Sequence, residues 1–430
     1  MPDIRRIYRA ASATAGLEVI GMGLGYLSQI ALARWLGADE FGVFSFVSAL
    51  VLLLAIPAQL GLSVLVLRDA SAARIDTEPA LAAGLLRRAY QIALSASLLL
   101  LGLGCLADRV LPDPSVYRGA LALGLLALPF WVASTLSIGV GRAFGRVILV
   151  KGLFDIGRPL GLLLGIAIAL ASGITASANA ALILFTATAG GVALLQLLRL
   201  KHVAPNILRA VTPHFETRYW LGASIPFALV AAIDVLMRQT DLLMVGGLLP
   251  PAEVGRYAVA SRMATLVTLS LLGINMLAAS AYADLHRQGD IQAMQRLARR
   301  LAHGMFWPAL AIALGLALAG PWLLGWFGPG FQAAYAPMLI LIIGGLINVG
   351  AGSVGYLANM TGQHWSAVRI QGASVALNIG LNALLIPRFG LIGAAIATTT
   401  STALANIGLH VVVARRLGVK AAIIHAWPVA

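Results

Sequence analysis

The sequence predicts an all-α, polytopic membrane protein with twelve transmembrane helices in two repeated six-helix bundles. Three observations support this fold class. Of the 430 residues, 60% are hydrophobic and only 11% are charged, whereas roughly a quarter of an average soluble chain is charged. Apolar runs of membrane-spanning length follow one another along the chain. An E-x-G-x-aromatic motif occurs twice, at residues 40–44 and 253–257, which are 213 positions apart.

Each predicted span is an apolar run of about 20 residues, the length that crosses a hydrocarbon core of roughly 30 Å. Twelve such runs lie near residues 12–34, 43–67, 86–107, 118–141, 149–171, 177–198, 219–248, 254–280, 301–327, 334–359, 367–387 and 389–414. The repeated motif falls after the first span of each half. We therefore predict one bundle in residues 1–204 and a second in residues 205–430, a duplication that is typical of transporters.

The charge distribution predicts the orientation. The net charge is +14, and most of the 30 lysines and arginines lie in the N-terminal tail and in every second loop. An excess of basic residues marks the cytoplasmic side of a membrane protein, so both termini are expected in the cytoplasm. Topology thus accounts for the positive charge, and the lipid bilayer, not a nucleic acid, is the expected partner. The first apolar run exceeds a signal-peptide core and is predicted to remain as a helix.

The sequence contains no convincing motif for catalysis, metal binding or nucleotide binding. Residues 350–355 match G-x-G-x-x-G, but they lie in an apolar span without a preceding strand, so glycine-driven packing or bending of helices is the favoured interpretation. The seven histidines are scattered, and Cys105 is the single cysteine, which excludes an intrachain disulfide. We expect no enzyme activity, no catalytic residues, no metal site and no cofactor.

Charged residues inside the spans are the candidates for function, because an ionised side chain in the bilayer usually faces a cavity or a partner. Asp234, Arg238 and Asp241 lie at i, i+4 and i+7 on the seventh span, so one helix stripe carries all three. Arg262 lies at a similar depth on the eighth span. A water-filled transport path is the favoured interpretation, and an internal set of salt bridges that locks the helices together is the alternative.

Three further charges lie in the first half of the chain. Asp155 and Arg158 are spaced i, i+3 on the fifth span, and a helix lock and a transport path are equally good interpretations of this pair. Glu18 is alone in the first span. An acid without a local partner is a candidate site for ion or proton coupling, with a structural hydrogen bond to a neighbouring helix as the alternative.

The chain resembles the polysaccharide transporter family, the O-antigen and exopolysaccharide flippases of the multidrug/oligosaccharidyl-lipid/polysaccharide (MOP) exporter superfamily. Residues 32–44, 59–62 and 66–68 are similar to the N-terminal signature of that family. Residues 241–246 and 254–262 resemble the signature of the second half, and residues 390–398 that of the last span. Order and spacing of these stretches match along nearly the whole chain.

The resemblance implies a MATE-like V shape of two bundles around a central cavity. It implies alternating access and movement of a polyprenyl-pyrophosphate-linked anionic glycan to the outer leaflet of the bacterial cytoplasmic (inner) membrane, in lipopolysaccharide O-antigen or exopolysaccharide synthesis. Other polysaccharide-assembly proteins become candidate partners. Family cavities hold anions with arginines, so the first candidates for the path are Arg238, Arg262 and Arg158, with Arg34 near the outer mouth. The acids Asp234, Asp241, Asp155 and Glu18 show that the predicted cavity is not simply cationic.

Three other functions stay open at this point. One is a peptidoglycan-precursor flippase, although such relatives usually carry extra spans for which this chain lacks the length. A cation-coupled multidrug exporter of the same superfamily would use acids in its bundles, and the mixed charge suits it as well. A polytopic enzyme that acts on polyprenyl lipids would need paired carboxylates or a reactive histidine in an extramembrane loop. The short outer loops argue against that enzyme.

Overall fold

The computed structural model describes the backbone of residues 4–70, 77–110, 116–203 and 210–423, and the side chains within these ranges except those of 4–15, 202–203, 270, 272–277, 279 and 280. Contacts divide the chain into two compact units, residues 1–235 and 236–430. The border falls inside the helix Thr217–Leu248. The division into bundles of residues 1–204 and 205–430, which the sequence repeat predicts, stays a prediction.

Within the described ranges, the regular secondary structure of the first unit is helical. They are α1 (Ile4–Gln59), α2 (Leu62–Asp69), α3 (Pro79–Val110), α4 (Ala120–Leu125), α5 (Leu128–Ala143), α6 (Val147–Gly152), the π-helical turn Leu153–Gly157, α7 (Arg158–Ala171), α8 (Ala178–Val203) and the first part of α9 (Thr217–Leu248). Because α6, the π turn and α7 follow one another directly, the three form a single apolar span from Val147 to Ala171.

The second unit is built in the same way. It contains the end of α9, then α10 (Pro251–Thr265), the 3₁₀ turn Leu266–Thr268, α11 (Leu269–Gln288), α12 (Ile291–Gly325), the 3₁₀ turn Phe331–Ala334, α13 (Tyr335–Gly350), α14 (Val354–Met360) and α15 (His364–Leu417). Its core includes the segment after α15, where Val419 and Ala421 are completely buried against Tyr282 and Met294.

The helices confirm the predicted spans. Within the described ranges, nine helices are long and apolar enough to cross a membrane. Helix α15 contains two predicted spans and bends between them at Gly390 (φ 57°). Helix α1 contains the first predicted span and most of the second, which continues into α2, and it bends at Gly37 (φ 75°). Positive φ values of this kind favour glycine. The predicted span 254–280 is divided among α10, the 3₁₀ turn and α11. Twelve spans result, and the protein is a multi-pass membrane protein.

The bends follow the sequence repeat. Gly37 and Pro250 are 213 positions apart, and the break between α9 and α10 lies at Pro250 as the bend in α1 lies at Gly37. Gly352 of the G-x-G-x-x-G stretch also lies at a break, between α13 and α14, with φ +74°. A Cβ atom at Gly352 would come within 2.5 Å of the carbonyl oxygen of Ala421. Bending and close packing, the favoured interpretation of this glycine pattern, is therefore confirmed.

Candidate transport sites

An ionic cluster lies inside the first unit, between the first span and the fifth. The ammonium of Lys151 lies 2.8 Å from a carboxylate oxygen of Glu18 and donates a 2.5 Å hydrogen bond to Asp155. All three side chains are mostly buried, with 16% of Lys151, 24% of Glu18 and 20% of Asp155 exposed. Two carboxylates thus share one cation, which offsets part of the cost of holding these charges in an apolar span.

The local backbone brings these groups together. Asp155 lies in the π-helical turn Leu153–Gly157, and such turns inside α-helices frequently occur at functional sites. Helix α1 approaches this turn closely at Gly21, where a Cβ atom would lie 2.8 Å from the Cβ of Asp155 and 2.9 Å from its carbonyl oxygen. The contact requires glycine, and it places Glu18, three residues earlier on α1, beside Lys151.

Arg158 lies next to this cluster between two aromatic rings. Its guanidinium carbon is 4.0 Å from the ring centre of Trp131 and 4.1 Å from that of Phe154. Both distances are well within the range of cation–π attraction, which strengthens when the cation is desolvated. The two rings are nearly perpendicular to each other, with an interplanar angle of 72°, so the guanidinium lies in an aromatic corner.

Glu18 has no partner near it in sequence, but Lys151 of the fifth span forms an ion pair with it, and the coupling role of Glu18 stays a prediction. Lys151 itself was not among the predicted site residues, since its place near the start of a span made it one of the cytoplasmic basic residues. The i, i+4 spacing of Lys151 and Asp155 is a signal that could have found it. Asp155 belongs to this ionic cluster, whereas Arg158 contacts Trp131 and Phe154, and the predicted roles of both residues stay predictions.

The second unit holds a buried acid among neutral groups. Asp241 of α9 is 6% exposed. Its carboxylate accepts hydrogen bonds from the hydroxyl of Thr398 at 2.5 Å, the amide of Asn382 at 3.0 Å and the hydroxyl of Tyr257 at 3.3 Å. Asn382 also bonds the side chain of Asn378, one turn earlier on α15, at 3.0 Å. Donors from α10 and α15 therefore converge on the carboxylate of α9.

A polar cavity of about 210 Å³ lies on the other side of Thr398. We call it the threonine cavity, and its polar lining consists of Arg238, Ser261, Thr265, Thr268, Asn348, Thr398, Thr399 and Thr402. The 3₁₀ turn Leu266–Thr268 and the last turn of α10 form one wall, α13 a second and the middle of α15 a third. One permanent cation and a set of hydroxyl and amide groups thus surround a small space.

The predicted stripe on α9 is divided by the fold. Asp241 turns into the unit, while Asp234 and Arg238 are exposed, and only Arg238 of the three lines the threonine cavity. Arg262 is exposed and follows Ser261, which lines the cavity. Arg34 is exposed three residues before the bend in α1. The sequence missed the threonines of this cavity, because hydroxyl groups in an apolar span give no charge signal.

Neither unit offers a cluster of metal-binding side chains in the part of the chain that the structure describes, where no group of three or more His, Cys, Asp or Glu could hold an ion. The features that stand out are two polar sites in a chain that crosses the membrane many times. Such sites within a helical, repeated membrane fold define the class of membrane transporters.

The particular family follows from comparison with known proteins. The family model described as polysaccharide biosynthesis protein matches residues 7–280, and the chain belongs to this family. A curated relative from Haloferax volcanii, named probable low-salt glycan biosynthesis flippase Agl15, is 24% identical over 400 residues, which are 91% of this chain and 80% of the relative. The resemblance to the polysaccharide transporters is thus confirmed.

Solved structures show the same fold. An inward-facing multidrug resistance MATE family transporter of the MOP superfamily matches with a TM-score of 0.77 at 13% identity, over 95% of this chain and 98% of that one. The lipid II flippase MurJ in an inward closed conformation matches with a TM-score of 0.73 at 12% identity, over 94% and 87% of the two chains. At these identities the likeness extends to the fold and not to the substrate.

Proposed function

We propose that this protein is a flippase that moves a polyprenyl-pyrophosphate-linked glycan from the inner to the outer leaflet of the bacterial inner membrane. Membership in the polysaccharide biosynthesis family is the observation that carries the proposal. The Haloferax volcanii relative, which is named a probable low-salt glycan biosynthesis flippase, supports it. The likeness to MATE transporters is one of fold alone, so it does not favour drug export over glycan transport.

Alternating access is the proposed mechanism. Two bundles, residues 1–204 and 205–430, would rock about a substrate path between them, as transporters built from repeats do. Both termini would lie in the cytoplasm, and the protein would carry out no covalent chemistry. Other polysaccharide-assembly proteins are proposed partners.

The proposed path uses the charged residues of both units. Arg238, Arg262 and Arg158, with Arg34, would attract the anionic substrate, because guanidinium groups bind phosphate and carboxylate in a bidentate way. Asp234, Asp241 and Asp155 would line or adjoin that path. Glu18 remains the proposed coupling residue, now as one member of the cluster that it forms with Lys151 and Asp155.

Deletion and complementation test the proposal. A strain that lacks the gene should lose its surface glycan, and the wild-type gene should restore it. Arg238→Ala and Arg262→Ala should each lower surface glycan about tenfold or more, since a hydrogen bond to a charged group is worth roughly 1.5–3 kcal/mol. Surface glycan is measured by lectin labelling and gel analysis of extracted polysaccharide.

Arg369→Ala is the matched control, because Arg369 is an exposed arginine of α15 outside the threonine cavity. It should leave surface glycan unchanged, and the membrane content of all variants is compared by immunoblot. Normal glycan in the deletion strain, together with new sensitivity to cationic drugs, would replace the flippase by the multidrug exporter. Normal glycan in both arginine variants would remove these residues from the path.

A further inference from the structure

We propose that the threonine cavity is a subsite that holds one sugar ring of the transported glycan and selects it by its hydroxyl groups. This inference rests on the proposed flippase function and adds a defined recognition site to it. The cavity of about 210 Å³ is smaller than the roughly 300–1,000 Å³ of pockets that hold drug-sized molecules. It therefore suits one ring and not a whole oligosaccharide.

The hydroxyl groups of the lining present acceptors to a ligand. Thr265 donates its proton to the carbonyl of Ser261 at 2.9 Å, and Thr268 donates to the carbonyl of Thr265 at 2.8 Å. Thr399 donates to the carbonyl of Ile340 on α13 at 3.0 Å. A hydroxyl group has one proton and two acceptor lone pairs, so each of these oxygens can still accept a hydrogen bond from a ligand.

Other groups of the lining can donate, among them the hydroxyl groups of Ser261 and Thr402. The side-chain oxygen of Asn348 accepts a 3.0 Å hydrogen bond from Asn406, which leaves the amide nitrogen as the group that can donate to a ligand. Arg238 supplies the guanidinium N–H groups. A lining that offers both acceptors and donors matches sugar hydroxyl groups, each of which both donates and accepts. A bare phosphate or pyrophosphate, which only accepts hydrogen bonds at neutral pH, would satisfy few of the threonine oxygens.

Glycines set the width of the cavity. A Cβ atom at Gly344 would lie 2.8 Å from the hydroxyl oxygen of Thr399, and one at Gly345 would lie 3.4 Å from the Cβ of Val267. Helix α13 can approach α15 and the 3₁₀ turn this closely because both positions lack a side chain. The walls are thus held near each other while the space between the hydroxyl groups stays open.

The sequence repeat places different residues at two corresponding positions of the first unit. A shift of 213 positions carries Gly344 onto Trp131 and Thr398 onto Phe185. In the first unit these two aromatic rings pack together, with their centres 5.8 Å apart. Two bulky rings thus occupy repeat positions that hold a glycine and a threonine at the cavity. Aromatic rings occupy these two positions in the first unit, whereas in the second unit the corresponding residues line the threonine cavity.

The first arm of the test replaces hydroxyl groups by methyl groups of the same shape. Thr265→Val, Thr268→Val and Thr402→Val should each lower surface glycan about fivefold in the complemented deletion strain, because each removes a hydrogen bond to the sugar. Thr→Ser at the same positions restores the hydroxyl and should restore the glycan. The matched control is Thr361→Val, which removes a hydroxyl bonded to the carbonyl of Leu357, four residues earlier and outside the cavity.

The second arm measures binding without transport. Purified full-length protein in lipid nanodiscs is heated with glucose, galactose, mannose, N-acetylglucosamine, glucuronic acid or inorganic pyrophosphate. At least one sugar should raise the melting temperature, and a protein with all three valine substitutions should lose that shift while its melting temperature without sugar stays close to wild type.

The two arms separate the possible failures. Valine variants that behave like Thr361→Val in cells, together with no sugar-dependent shift or a shift by pyrophosphate alone, would overturn the sugar subsite and leave the flippase intact. Surface glycan that persists in the deletion strain would overturn the flippase itself. A sugar shift that survives the triple substitution would show that sugars bind elsewhere, and it would also overturn this subsite.

Discussion

The two units differ most in how they treat charge. In the first unit, Lys151 bridges the carboxylates of Glu18 and Asp155, and each acid therefore has a cation beside it. In the second unit, Asp241 is surrounded by hydroxyl and amide donors, and Arg238 lies across Thr398 in a cavity lined mostly by neutral groups. One scaffold has been duplicated, and each copy has acquired its own polar chemistry.

The difference shows what a repeat preserves. Helix breaks recur at Gly37 and Pro250, because the backbone path of the scaffold depends on them. Buried polar groups need a matching set of partners, and such a set can change in one copy without altering the fold. The repeat therefore locates the scaffold, and the proposed functional residues lie at positions where the two copies differ.

Loss of the shared cation is expected to have the largest effect on stability. Lys151→Met would leave two mostly buried carboxylates facing each other, and the free energy of unfolding should fall by about 3 kcal/mol. Thermal denaturation in detergent measures the change. Glu18→Gln and Asp155→Asn added to Lys151→Met should recover most of the loss, since no charge then lies unpaired. An unchanged melting temperature for Lys151→Met would show that the cluster contributes little to the first unit.

A neutral replacement of the buried acid should have an intermediate effect. Asp241→Asn would bring an amide NH₂ group toward hydroxyl and amide donors, and the free energy of unfolding should fall by about 1–3 kcal/mol. Asp234→Asn, two turns earlier on α9 with an exposed side chain, serves as the control and should change it by less than about 1 kcal/mol. If both substitutions lowered the free energy of unfolding equally, the burial of Asp241 would not distinguish it from the exposed Asp234.

The smallest expected effect is a difference in the free energy of unfolding between variants of the two copies of the E-x-G-x-aromatic motif. Glu40 accepts a 2.6 Å hydrogen bond from the backbone nitrogen of Ala178 at the start of α8, whereas Glu253 pairs with Arg256 within its own helix. Glu40→Ala should therefore cost about 1 kcal/mol through the lost helix cap. Glu253→Ala should cost about 0.5 kcal/mol, as partly exposed ion pairs do. Thermal denaturation of both variants compares them, and a larger loss for Glu253→Ala would reverse the assignment.

Much of the fold could be predicted because it depends on short-range features of the chain. Apolar length fixed the spans, since an unsatisfied backbone in lipid is so costly that such runs form helices. The sequence did not show that a helix can continue through a glycine bend. Helices α1 and α15 continue through Gly37 and Gly390, where the hydropathy pattern predicted the ends of separate spans. Intramembrane charge likewise located Asp155, Arg158, Arg238 and Asp241 as members or neighbours of the polar sites.

The partners of those charges could not be predicted. Lys151 reaches Glu18 from a residue more than a hundred positions away, and the close contact at Gly21 that brings them together is a property of packing. Asp241 meets Asn382 and Thr398 on α15 across a similar distance in sequence. Which face of a helix meets which neighbour depends on the shapes of all the side chains between them.

By itself, the sequence determined that this protein is a repeated bundle of membrane-spanning helices with rare charges inside them, because the cost of exposing polar groups to lipid acts on each segment separately. The tertiary structure alone decided that the first unit neutralises its charges with Lys151 and that the second leaves a hydroxyl-lined space beside Arg238. Both outcomes depend on side chains from distant segments, and only packing brings those segments into contact.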